Sequence, residues 1–212
     1  MLSFWISITL LSASKASEEQ VPTKKVFFGD LHVHTHLSLD AGVQGTKTTP
    51  MEAYAFAKGQ TIRPYGRKSF ELQLGRPLDF AAVTDHAELL GEASICKSPN
   101  LPGHKSLSCI LYRHWPSVGF IWMNMSISRR PWFGSVRRLA MCGWGGLRCR
   151  DAAIKPWREI IAAADKATIP GEFSAFIAYS RPLSLGSLFQ KRGSSHHVIR
   201  APKAVPRPAR KT

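Results

Sequence analysis

The sequence predicts an α/β fold in which parallel strands are joined through helices, and three observations carry that prediction. Apolar runs at 25–34 and 79–86 each close on an acid–histidine group, Gly29-Asp30-Leu31-His32-Val33-His34-Thr35 and Val83-Thr84-Asp85-His86. A well-punctuated helix lies between them. Further apolar runs at 117–123 and 173–179 complete four expected strands. Strand, helix and strand in that order imply a right-handed crossover unit.

In the first strand, side chains alternate faces, so Asp30, His32 and His34 point one way while Leu31 and Val33 point into the opposite layer. Two imidazoles two residues apart can grip one ion. The run Asp79-Phe80-Ala81-Ala82-Val83-Thr84 has the near-continuous apolar pattern of a parallel strand covered on both faces, and it leads straight into Asp85-His86. Ligands in α/β folds gather at the carboxyl ends of strands. If the two runs pair, His32, His34 and His86 should come within roughly 7 Å of one another, as ligands about one metal do. Three imidazoles with at least one carboxylate form a site for a divalent metal (Zn, Mn or Fe), and such a centre points to hydrolysis.

The intervening helix starts at Thr49 as N-cap, with Pro50 in the first helical position and Glu52 completing a capping box. Gly59 supplies the stop. Ala53, Phe56 and Ala57 share the face expected to pack on the sheet. The connection from Gln60 to Arg76 is long, and its second half alternates like a short hairpin arm.

At the amino end, Leu2–Ala13 is an apolar run of twelve residues, too short to span a bilayer, followed by the small-x-small site Ser14-Lys15-Ala16. Residues 1–16 therefore read as a signal peptide, with a secreted or periplasmic mature chain and no membrane span after cleavage. No Lys or Arg precedes the run, which leaves a misplaced start codon or a buried helix as alternatives, the chain being cytoplasmic if the run is not a signal. Cys96, Cys109, Cys142 and Cys149 fit export, since none stands in a Cys-x-x-Cys pair. Local pairing, Cys96 with Cys109 and Cys142 with Cys149, closes the shortest loops among three connectivities; free buried thiols are the cytoplasmic alternative.

The formal charge of +15 resembles that of a nucleic-acid binder, but its distribution argues otherwise. Eight positive charges lie in 180–212 and six in the irregular basic segment 129–150, and neither stretch contains an acid. Basic Pro-containing runs without interleaved aromatics are usually disordered and bind polyanions without sequence choice. No specific nucleic-acid partner is expected, and nothing in the sequence marks an oligomeric state.

Val26-Phe27-Phe28-Gly29-Asp30-Leu31-His32-Val33-His34-Thr35, Thr49-Pro50-Met51-Glu52-Ala53-Tyr54, and Arg76-Pro77-Leu78-Asp79-Phe80 through Thr84-Asp85-His86-Ala87-Glu88 together resemble a bacterial family. It is the domain of unknown function 3604 family, related to the PHP (polymerase and histidinol phosphatase) phosphoesterases. The resemblance resumes in Lys155-Pro156-Trp157-Arg158-Glu159-Ile160 and from Pro170 to Tyr179, covering most of 22–125 and about 146–179. It implies a partial, distorted PHP-type β/α barrel over 17–179, with metal ions at the strand ends and a small-molecule or phosphoester substrate. His32 and His34 are then first-site ligands and His86 a further one. Asp85 becomes the catalytic-centre carboxylate, either as a ligand or as the group that orients an imidazole.

Where relatives carry a metal-bridging glutamate after the strand ending at Tyr179, this chain has Ser180, and beyond it the resemblance stops. A complete β/α barrel takes on the order of 250 residues. The expectation is therefore a truncated or frameshifted product whose tail, 180–212, is disordered. On that expectation the chain is either an impaired PHP-type hydrolase or a non-catalytic metal-binding remnant.

Overall fold

The computed structural model describes residues 25–67, 69–126, 138–181 and 195–200, with backbone alone for Arg181 and 195–200. Strands β1 (Gly29–Val33), β2 (Phe80–Val83) and β3 (Ser174–Arg181) lie side by side and parallel, and β4 (Ser195–Arg200) adds antiparallel to β3. The sheet order is β1-β2-β3-β4, and the sheet is open. Around it lie α1 (Leu39–Val43), α2 (Pro50–Ala57), α3 (Leu90–Lys97), α4 (Leu107–His114), α5 (Pro116–Ser126) and α6 (Leu147–Ala167). The fold is mixed α/β, and the described residues form no barrel.

The start of α2 follows the sequence closely. The Thr49 hydroxyl accepts the Glu52 N–H, the Glu52 carboxylate accepts the Thr49 N–H at 2.8 Å, and Gly59 turns the chain at φ +87°. The buried face differs from expectation by one residue, since Tyr54 is buried and Phe56 only partly so. The Tyr54 hydroxyl donates to the Phe176 carbonyl (2.9 Å) and accepts the Val83 N–H (3.2 Å), tying α2 to β2 and β3 at once. Ala53, Ala57, Ala81, Ala163, Ala164 and Ala175 line this core, and their small size lets α2 and α6 approach the sheet. The connection after Gly59 narrows to one antiparallel bridge, Ile62 with Leu72.

Three expectations are corrected. The apolar run 117–123 is not a strand but the middle of α5, because an apolar run alone does not separate buried strand from helix. Pro116 starts that helix, and Gly119 lets it cross α4: a Cβ there would lie 2.5 Å from the Tyr112 Cα. The tail is not wholly without structure, since 195–200 form β4 along the outer edge of β3. Leu31 is not covered by an opposite layer; β1 is an outer strand, and Leu31 remains 43 % exposed. The signal peptide expected at 1–16, residues 129–137 of the basic segment, and 182–194 and 201–212 of the tail lie outside the described residues.

A second core joins α3, α4, α5 and the start of α6, and both expected disulfides, Cys96–Cys109 and Cys142–Cys149, stand in it. At its centre α3 meets α6 so closely that a Cβ on Gly91 would fall 1.8 Å from the Cys149 carbonyl oxygen. No helix among the described residues is long and apolar enough to cross a membrane.

Candidate metal centre

Three adjacent chain ends build the site. His34 follows β1 directly, His86 lies just beyond β2, and Ser180 stands near the end of β3, joined to His86 by a parallel bridge. The loop after β1 is held by Asp85: its Oδ1 accepts the Thr35 N–H at 2.6 Å and its Oδ2 accepts the Thr35 hydroxyl at 2.7 Å. Both oxygens of this buried carboxylate are thereby engaged. Burial pushes the Asp85 carboxyl up, and the two Thr35 bonds only partly oppose it. Asp85 thus acts on the site through the backbone that carries His34.

The chain then folds back through Ser38 into α1, which brings Asp40 between the two rings. Asp40 Oδ2 lies 2.8 Å from His34 Nδ1 and 3.4 Å from His86 Nε2, while Oδ1 accepts the Ser38 hydroxyl and the Ala41 N–H. Ser38 Oγ in turn accepts the His86 N–H at 3.1 Å. Burial alone would raise the Asp40 carboxyl, but its bonds to His34, His86 and Ser38 hold it well below the usual carboxylate range. For His86 burial pulls the imidazole down, and Asp40, Glu88 and Asp85 outweigh it, so its net shift is upward. Glu88 Oε1 stands 3.3 Å from His86 Nδ1, and burial raises the Glu88 carboxyl.

His34, Asp40 and His86 each offer a ligand atom within 4.8 Å of the others. The ring centroids of His34 and His86 are 4.7 Å apart, and those of His32 and His34 are 4.8 Å apart. His32 and Asp30 fall outside the three-residue group, and the Asp30 carboxylate accepts the His32 N–H at 2.8 Å. Of the predicted histidines, His34 and His86 share the group, while the carboxylate between them is one the sequence reading did not single out. Its signal was present: Asp40 is the only acid between His34 and Glu52, in a Ser38-Leu39-Asp40 helix start.

The donor set fits a divalent ion. Among the described residues, His34 Nε2, Glu88 Oε2 and Ser180 Oγ are buried polar atoms without a hydrogen-bond partner, and imidazole with carboxylate suits Zn, Mn or Fe. Beside this loop opens a cavity of about 190 Å³ whose lining includes His36, Leu37, Lys97 and Lys155. The Lys97 ammonium donates to the His36 carbonyl.

A family model described as protein of unknown function (DUF3604) matches residues 21–197. The chain belongs to this family. The matched span of this DUF3604 chain passes Tyr179, where the resemblance was expected to stop, and reaches into β4. Neither the curated proteins nor the solved structures contain a match to it.

Proposed function

We propose that this DUF3604 chain is a metal-dependent hydrolase of the PHP type that acts on a small-molecule phosphoester. The observation that carries the reading is the convergence of His34, Asp40 and His86 at the carboxyl ends of parallel strands, with His34 Nε2 buried and without a hydrogen-bond partner among the described residues. His34 and His86 would hold a Zn, Mn or Fe ion, with Asp40 fixing both rings, and His32 stands beside His34. When bound, such an ion supplies Lewis-acid polarisation and an activated water near neutral pH.

The chain's own groups perform the remaining tasks. Asp40 holds His34 Nδ1 so that Nε2 faces away, the role of a carboxylate that orients a metal-binding imidazole. Asp85 fixes the loop through Thr35, and Glu88, with a free buried oxygen beside His86, can receive a proton. Lys97 and Lys155 in the neighbouring cavity complement an anionic phosphoester.

Ser180 favours a second reading. Its neutral, unpartnered hydroxyl occupies the strand end beside His86, where a bridging carboxylate would hold a second ion. Two cations roughly 3.5–4 Å apart need such an anionic bridge. On this reading the chain binds one metal without efficient turnover.

The test is metal content measured together with turnover. Purified chain should carry about one Zn, Mn or Fe ion, and the double substitution His34→Ala with His86→Ala should abolish it. A chromogenic phosphomonoester should be hydrolysed after chelation and Mn²⁺ or Zn²⁺ repletion. Metal without turnover selects the second reading, and unchanged metal content in the double variant overturns both.

A further inference from the structure

Away from the histidine centre, Glu92 sits in the first turn of α3, fully buried, with its carboxylate against the Cys142–Cys149 disulfide. Oε1 lies 3.3 Å from Cys142 Sγ and accepts Arg138 Nη1 at 2.8 Å. The other oxygen, Oε2, is buried and has no hydrogen-bond partner among the described residues. Nothing about the oxidised pair satisfies it, since a disulfide sulfur carries neither a proton nor a charge. Burial raises the Glu92 carboxyl, with Arg138 opposing only in part.

One ligand atom from each of Glu92, Cys142 and Cys149 lies within 4.8 Å of the others, the spread of donors around one small cation with metal–sulfur bonds of about 2.3 Å. We propose that these three side chains form a redox-gated site for a soft divalent cation of the zinc type, closed as the disulfide and open when the pair is reduced. The charges support it: two thiolates, one carboxylate and a dication sum to one negative charge, which Arg138 offsets at Glu92. A fourth position is left for water.

The opening step balances as thiol–disulfide exchange with an external dithiol. The Cys142–Cys149 bond breaks, both sulfurs take up an electron and a proton, and the dithiol is oxidised to its own disulfide. On metal binding both thiol protons pass to solvent as two sulfur–metal bonds form, and Glu92 supplies the third ligand. The loop between the cysteines suits a reagent's approach. Gly143, Gly145 and Gly146 all have positive φ, and Trp144 among them is 93 % exposed. Glu92 and the two cysteines themselves are buried beneath this loop.

The decisive experiment titrates Co²⁺ into the same full-length chain in two states, air-oxidised and phosphine-reduced under anaerobic conditions. The reduced chain should develop thiolate-to-cobalt charge transfer for one ion per chain, and the oxidised chain none. The band should survive Cys96→Ser with Cys109→Ser, survive His34→Ala, and disappear in Cys142→Ser. Glu92→Gln should weaken binding by about tenfold or more, the loss of one anionic ligand. No band in the reduced chain, or a band that survives Cys142→Ser, overturns the proposal. If Cys142→Ser does not fold by circular dichroism, the oxidised-against-reduced comparison on the unsubstituted chain decides it.

Discussion

His86 and Ser180 face each other across the neighbouring ends of β2 and β3, joined by a parallel bridge in which the Ser180 N–H donates to the Asp85 carbonyl at 3.2 Å. Ser180 is completely buried, and its hydroxyl has no hydrogen-bond partner among the described residues. On the proposed function, this strand end offers a neutral oxygen where a bridging carboxylate would hold a second ion.

Position 180 is therefore expected to decide how many ions the chain holds. Ser180→Asp should raise the metal content from about one ion to two per chain. At ion concentrations a hundredfold above Kd, the second ion should stabilise the variant by about 2.7 kcal/mol. Elemental analysis and thermal unfolding with and without Mn²⁺ read both effects. Equal metal content in the two proteins would remove position 180 from the centre.

The Thr35–Asp85 clamp should matter for both stability and the site. Asp85→Ala deletes two charge-assisted bonds to Thr35 and is expected to cost about 3 kcal/mol in urea unfolding. It should also weaken metal binding about 10- to 100-fold, because the loop that positions His34 loses its anchor. Thr35→Val keeps the N–H bond and should lose less, about 1 kcal/mol. Metal affinity unchanged in Asp85→Ala would show that the clamp serves the fold alone.

Tyr54 makes stability depend on alkaline pH. Burial pushes its hydroxyl from 10 up to about 12 in the folded chain. As pH rises through this interval the unfolded chain releases the proton first, so the unfolded state is favoured and stability falls, by about 3 kcal/mol in all. Below pH 10 the contribution is fully present. Tyr54→Phe should flatten that slope and cost about 1–3 kcal/mol at neutral pH, because the Val83 N–H loses its acceptor. Denaturant midpoints collected from pH 8 to pH 12 test both parts, and an unchanged alkaline slope in the variant would count against Tyr54 as its source.

Gly91 should tolerate no side chain. A methyl group there meets the Cys149 carbonyl at 1.8 Å, a contact that only a backbone shift between α3 and α6 can relieve. Gly91→Ala is expected to destabilise by about 3 kcal/mol, the upper range for overpacking, despite its better helix propensity. A midpoint at or above that of the parent would mean that the two helices are not packed this closely in solution.

Local signals in the sequence determined a good part of this molecule. The Thr49 capping box, the β1 and β2 runs, the strand 173–179 and both disulfide pairs follow from residues a few positions apart, or from short loops whose closure costs little. So does the placing of His34 and His86 at strand ends. Tertiary structure decided what depends on distant segments. The run 117–123 became helix because α4 offers Gly119 a backbone to pack on, and 195–200 became strand because β3 presents an unpaired edge. The side-chain group at the strand ends was decided the same way. Asp40 enters it, and Asp30 does not, because Asp85, fifty positions from Thr35, bends the chain after β1 and turns α1 back between the two imidazoles. Alternation along a strand shows which side chains share a face, but only the fold of the following loop determines which carboxylate meets them there.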